Sequence, residues 1–153
     1  MVGRYLHGHV GAAVYGYLEE LAGTKPVNLD GALDHSYIPR FNVNHKNRKY
    51  IGGFQFQNNF AGYRYPYQAL HIKGFGAEFK QQVRTLQPAV YHMGGFGKVV
   101  ARPENRVTVD SKRPDAFGIP TPVVRFRFSE NDIALWKDIK ATAREIWEPQ
   151  KPD

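Results

Sequence analysis

Six histidines, an aromatic band and one glycine-rich run are the residues of this chain whose types could do chemistry. His7 and His9 are two apart, so in a strand both rings would point the same way and could share a cation. His35, His45, His71 and His92 stand apart in sequence, and no carboxylate and histidine cluster at a metal-site spacing joins them, so ordinary structural histidines are expected. A serine nucleophile would need an elbow such as G-x-S-x-G, and none of the serines is flanked that way, which argues against a self-contained hydrolase. The GGFG run of Gly94 to Gly97 lacks the strand-to-helix context of a phosphate cradle. From Phe60 to Tyr67 the rings are dense enough to stack on sugars or bases, although filling a core or a domain interface is the expected use.

The elements that must position these residues come from one core. With 153 residues and 42% hydrophobic content, the chain is long enough for a single domain. It has no apolar run of about eighteen residues and no basic-then-apolar leader, so a soluble protein without a membrane span is expected. The absence of cysteine removes disulfides, thiolate metal sites and a cysteine nucleophile together, and leaves the compartment open. A net charge of +7, from 21 Lys and Arg against 14 Asp and Glu, makes attraction to anions reasonable. The basic residues are scattered, with Lys46, Arg48 and Lys49 the nearest thing to a cluster, so nucleic acid is not the expected partner.

Small and aromatic residues from Val10 to Leu18 predict a strand, and the turn formers crowded between Thr24 and Tyr50 predict a long irregular connection. Ile51, Phe54 and Phe56 alternate with glycine and glutamine, the pattern of a strand with one wet face. Tyr63, Tyr65 and Tyr67 surround Pro66, which suits a loop or edge. Phe75, Phe79 and Val83 fall on one face of a short helix. The Gly94-Gly95 pair amid strand formers predicts a bend, a bulge or a close approach to another element.

RVTVD and VVRFRF predict a strand pair with Val107, Val109, Val124, Phe126 and Phe128 buried and Arg125 and Arg127 on the other face. Ser129 has the features of an N-cap, followed by Glu130 and Asp132 in the first turn of a helix that Pro149 would end. Ile133, Trp136, Ile139, Ala143, Ile146 and Trp147 recur at helical steps and should face the sheet. The fold class is α+β, a multi-stranded antiparallel sheet with helices packed on one face, and neither an internal repeat nor a low-complexity segment is visible.

Three stretches, in order, resemble the glucose-methanol-choline (GMC) family of FAD-dependent oxidoreductases. VGRYLHGH at Val2 to His9 is similar to that family's V-G-R-x-L-x-D-H segment. PENRVTVD and DAFGIPTPVVRF are similar to its N-R-V-T-L-D and D-x-[WF]-G-[LI]-P elements, and FSENDIALWKDIKATAREI resembles the helix that follows them. Gly8 stands where the family has Asp and Lys98 where a Glu often follows G-F-G, so no role passes to either position.

The resemblance implies the substrate-binding domain of a longer flavoprotein, with a sheet roofing the flavin and helices on its outer face. The family's dinucleotide fingerprint lies upstream of such a segment and its catalytic histidine downstream, in an H-x-x-G-T context. This chain holds neither, so alone it is expected to be inactive, with FAD held by the intact protein and no catalytic residue here. The resemblance enters in midstream at Val2, which suggests a segment whose apolar surface, lacking the flavin-binding domain, would self-associate. The implied substrate is a small-molecule alcohol or sugar. For its contacts, aromatic or polar character near the expected sheet openings selects Tyr63, Tyr65, His71, His92 and Met93. The alternative is a stand-alone, non-catalytic carbohydrate- or protein-binding module.

Overall fold

The computed structural model describes residues 2–25, 36–39, 48–60 and 67–148. The fold is α+β. Strands β1 (His9–Tyr17), β2 (Ser36–Pro39), β3 (Phe54–Phe60) and β4 (Val90–Lys98) form one antiparallel sheet in the order β1-β4-β3-β2. Strands β5 (Arg106–Pro114) and β6 (Pro120–Arg125) form a separate antiparallel pair. The helices are α1 (Gly76–Leu86) and α2 (Glu130–Trp147). Where the turn-rich stretch predicts only an irregular connection, its described part contains β2, an edge strand paired with β3. Residues 26–35 and 40–47 of that connection lie outside the described residues.

The core is the interface between the four-stranded sheet and α2. Val10, Phe54, Phe56 and Met93 from the sheet meet Leu135, Ile139 and Ala143 from the helix, all buried. The helix comes close because the strand beneath it lacks side chains. A Cβ on Gly97 would sit 2.6 Å from Leu135 Cδ2, and one on Gly95 would sit 2.9 Å from Phe56 Cε1 and nearer still to Ile139. The glycines of β4 therefore mark a close approach, one of the outcomes their sequence predicts, and the strand runs on without a break. At the far end Trp147 stacks on Tyr91 with ring centroids 5.5 Å apart, and burial pushes the Tyr91 hydroxyl above its ordinary value.

The start of α2 is a reciprocal cap. The Ser129 hydroxyl accepts from the Asp132 amide, while Asp132 Oδ2 accepts from the Ser129 amide and hydroxyl, each at 2.7 Å. Asp132 Oδ1 also accepts from the Val100 amide. Burial works to raise the Asp132 carboxyl, but the bonds from Ser129 and Val100 and the charge of Arg102 outweigh it and hold it below the usual carboxylate range. Along the helix the buried stripe is Asp132, Leu135, Ile139, Thr142 and Ala143. Ile133, Trp136 and Ile146, expected against the sheet, are largely exposed, because the glycine groove receives a narrower stripe turned toward Leu135. Arg48 and Tyr50 both bond to Asp138, and Asn131 exchanges two bonds with the backbone of Ile51, fastening the approach to β3 onto α2.

Helix α1 forms where Phe79 and Val83 predict it, with its contacts made mainly to the 3-10 turns at Tyr67–Leu70 and Gln87–Ala89. Phe75 is its exposed N-cap and does not join the apolar face. The β5 and β6 pair forms, but β6 ends at Arg125, short of Phe126 and Phe128, and the expected burial does not follow. Val109 is 70% exposed and Val124 61%, with Phe126 and Phe128 also open, because among the described residues no layer covers the pair. Its turn is built by Asp115, whose carboxylate accepts from the amides of Phe117 and Ile119, and by Gly118 at φ +80. Asn105 ties this unit down: its side chain bonds both the amide and the carbonyl of Arg127, and its own carbonyl accepts from Leu6.

Candidate functional site

Side chains alternate between the two faces of a strand, and residues directly opposite on antiparallel strands share a face. Since Val10, Phe54, Phe56 and Met93 turn toward α2, the residues between them make up the other face of the sheet. Tyr15 lies across from His92, and their rings meet at 4.7 Å, tilted by 40°. Phe96 lies between Gly11 and Gln55, and His9 meets it edge-on with centroids 6.4 Å apart. Between His92 and Phe96 is Gly94, flanked by Ala13 and Gln57, with Tyr37 beyond on the edge strand.

A Cβ on Gly94 would lie 3.0 Å from His92 Cε1 and 3.2 Å from Phe96 Cε2, so glycine lets these two rings draw together over the sheet. Tyr15 is 53% exposed and Tyr37 55%, whereas His92 is half-buried. Toward Lys98, which faces His9, the surface sinks into an open depression of about 580 Å³ that reaches Gln55, Gln57 and Phe96. The face thus combines flat rings with amide, imidazole and ammonium groups. It can stack on a sugar-like ring and bond to its hydroxyls, but it holds no carboxylate on these strands for acid and base work.

Of the residues selected from sequence for substrate contact, His92 belongs to this face. Met93 does not: it is fully buried against α2, on the opposite side of the sheet from its neighbour, because adjacent strand residues point apart. His71 lies in the exposed turn after Tyr67–Leu70, outside the sheet. Tyr63 and Tyr65 lie outside the described residues. His7 precedes β1 and donates from Nδ1 to the Tyr5 carbonyl at 2.8 Å, so it does not share a strand face with His9. Sequence reasoning missed Tyr15, Tyr37 and Phe96, although the alternation of glutamine with phenylalanine in β3 already marked Gln55 and Gln57 as its wet side.

Among the described residues no group of three or more His, Asp or Glu side chains is placed to hold a metal ion, and no helix is long and apolar enough to cross a membrane. The GGFG run is interior to β4 and opens no helix, so it does not form a dinucleotide cradle. No protein-family model matches the chain, and no curated protein matches it.

Proposed function

We propose that the chain is the substrate-binding portion of an FAD-dependent oxidoreductase of the GMC type, oxidising an alcohol group of a sugar or polyol. The observation that carries this reading is the unequal treatment of the sheet's two faces. One is sealed by α2, and the other presents Tyr15, His92, Phe96, Gln55 and Gln57 with no described element laid over them as a layer. Such a face suits a roof over a reaction chamber. The ordered run of V-G-R, N-R-V-T and D-x-F-G-I-P stretches adds to it.

FAD bound by the intact protein would supply the two-electron acceptor that oxidation of an alcohol to a carbonyl needs. The residues of this chain bind and orient. Tyr15 and Phe96 offer ring faces to the apolar side of a sugar, and His92, Gln55 and Gln57 bond to its hydroxyls and displace water. The test is to express the polypeptide encoded around this segment and record its flavin absorption. A yellow, alcohol-oxidising protein whose Tyr15→Ala and His92→Ala variants keep their flavin but raise KM is expected. A folded, cofactor-free product overturns the reading, and tight glycan binding by that product would favour the non-catalytic module.

A further inference from the structure

The basic residues are scattered along the sequence, but folding gathers five of them. Arg106, the first residue of β5, lies directly across from Arg125 of β6, and on its other side Arg4 bridges to it from the N-terminal segment. Three arginines therefore stand side by side on neighbouring backbone segments, an arrangement in which like charges repel. Arg102 and Arg127 border the same open groove of about 840 Å³, whose other walls include Val124 and Phe126.

Nothing described neutralises the row. None of the five makes an ion pair with a carboxylate among the described residues. Glu104 is the acid in the lining, and Asp110 instead approaches Arg113. Asp132 and Arg102 act on each other electrostatically at the groove's border without forming an ion pair, and Asp132 takes its hydrogen bonds from Ser129 and Val100. The Nε atoms of Arg102 and Arg106 are both buried without a hydrogen-bond partner. A buried donor left unpaired is costly, as is the repulsion beside it, and an anion in the groove would offset the repulsion.

We propose that this groove is a binding site for a phosphate or diphosphate group carried by a small molecule. Guanidinium forks match tetrahedral phosphate oxygens two bonds at a time, and the exposed Arg4, Arg125 and Arg127 border the groove. Arg102 Nη2 donates to the Arg127 carbonyl at 2.6 Å, which anchors that side chain at the rim. Phe126 supplies a ring against which a flat organic group can lie. The inference rests on the β5 and β6 pair and the segments beside it, and stands whether or not the proposed function does.

The experiment is calorimetric titration of the full chain at low salt with inorganic pyrophosphate, with ADP, and with a short single-stranded oligonucleotide. Pyrophosphate is expected to bind, and Arg106→Gln and the exposed Arg125→Gln to weaken it by about tenfold each, the loss of one charge-assisted contact. Tighter binding of ADP than of pyrophosphate assigns the site to an organic phosphate, and equal binding to the free diphosphate. Without ligand, Arg125→Gln should melt no lower than the unaltered chain, because it removes repulsion, yet lose the rise in Tm that pyrophosphate gives. Wild-type affinity in both variants, or no pyrophosphate binding, overturns the proposal. Binding of the oligonucleotide alone, falling steeply with salt, overturns it in favour of a nucleic-acid surface.

Discussion

The two sheets of this protein use the same alternation of residues to opposite ends. In the four-stranded sheet, alternation sorts Val10, Phe54, Phe56 and Met93 onto α2 and leaves glutamines, histidines and rings on the other side. In the pair of β5 and β6 and the residues just after it, the same pattern of valines, phenylalanines and arginines buries almost nothing, and Val109, Val124 and Phe128 remain open. Period two fixes which residues share a face, and burial needs a second layer to receive that face. The first sheet has such a layer because its glycines admit a helix. The second has a bond network instead, centred on Asn105.

The contrast sets a scale of expected effects. Leu135→Ala should cost about 2–5 kcal/mol of unfolding free energy, the range for emptying a filled core site, read from urea midpoints at constant slope. Gly95→Val should cost roughly 1–3 kcal/mol by forcing Ile139 and Phe56 away. If either change proves as mild as one in β5, the glycine groove is not what holds α2. Ser129→Ala, which breaks the reciprocal cap, should cost about 1 kcal/mol.

Asp132 adds a pH dependence to the first sheet. Its carboxyl is held low when folded, so its contribution is complete above the unfolded carboxylate value of about 3.9 and is lost as pH falls through the lower folded value. Denaturant titrations across acid pH should show Asp132→Asn less stable than the unaltered chain near neutrality, with the gap closing in strong acid. A constant gap would mean the carboxylate's charge is irrelevant. At the bottom of the scale, Val109→Thr on exposed β5 should change stability by less than about 0.5 kcal/mol, and a larger loss would point to a covering layer there.

The elements whose signals are local were legible before folding was considered. Ser129 announced the cap of α2, the phenylalanine and glutamine alternation announced β3, and the paired glycines left a bend, a bulge or a close approach open, of which β4 shows the last. The facing of α2 was not, because large apolar residues such as Trp136 and Ile133 look equally fit for a core. Only the groove decides that Leu135 enters while Trp136 stays outside beneath the Lys140 ammonium, 4.5 Å from its ring. The candidate site was legible at His92 and hidden at Tyr15 and Phe96, whose neighbours come from strands far away in sequence. The arginine row was hidden for the same reason, since register between distant strands is a property of the sheet.

The clamp at Asn105 also divides the molecule in time. Amides of β4 lie between two strands and under α2, so their hydrogens should exchange with solvent only when the whole domain opens. Amides of β5 and β6 depend on a hairpin, a short N-terminal partner and the few bonds around one buried side chain. They should exchange through a smaller, more frequent opening in which the hairpin lifts while the four-stranded sheet stays closed. The arginines borne by the hairpin would then meet an incoming anion on a flap already in motion, and its arrival would register as slowed exchange confined to those two strands.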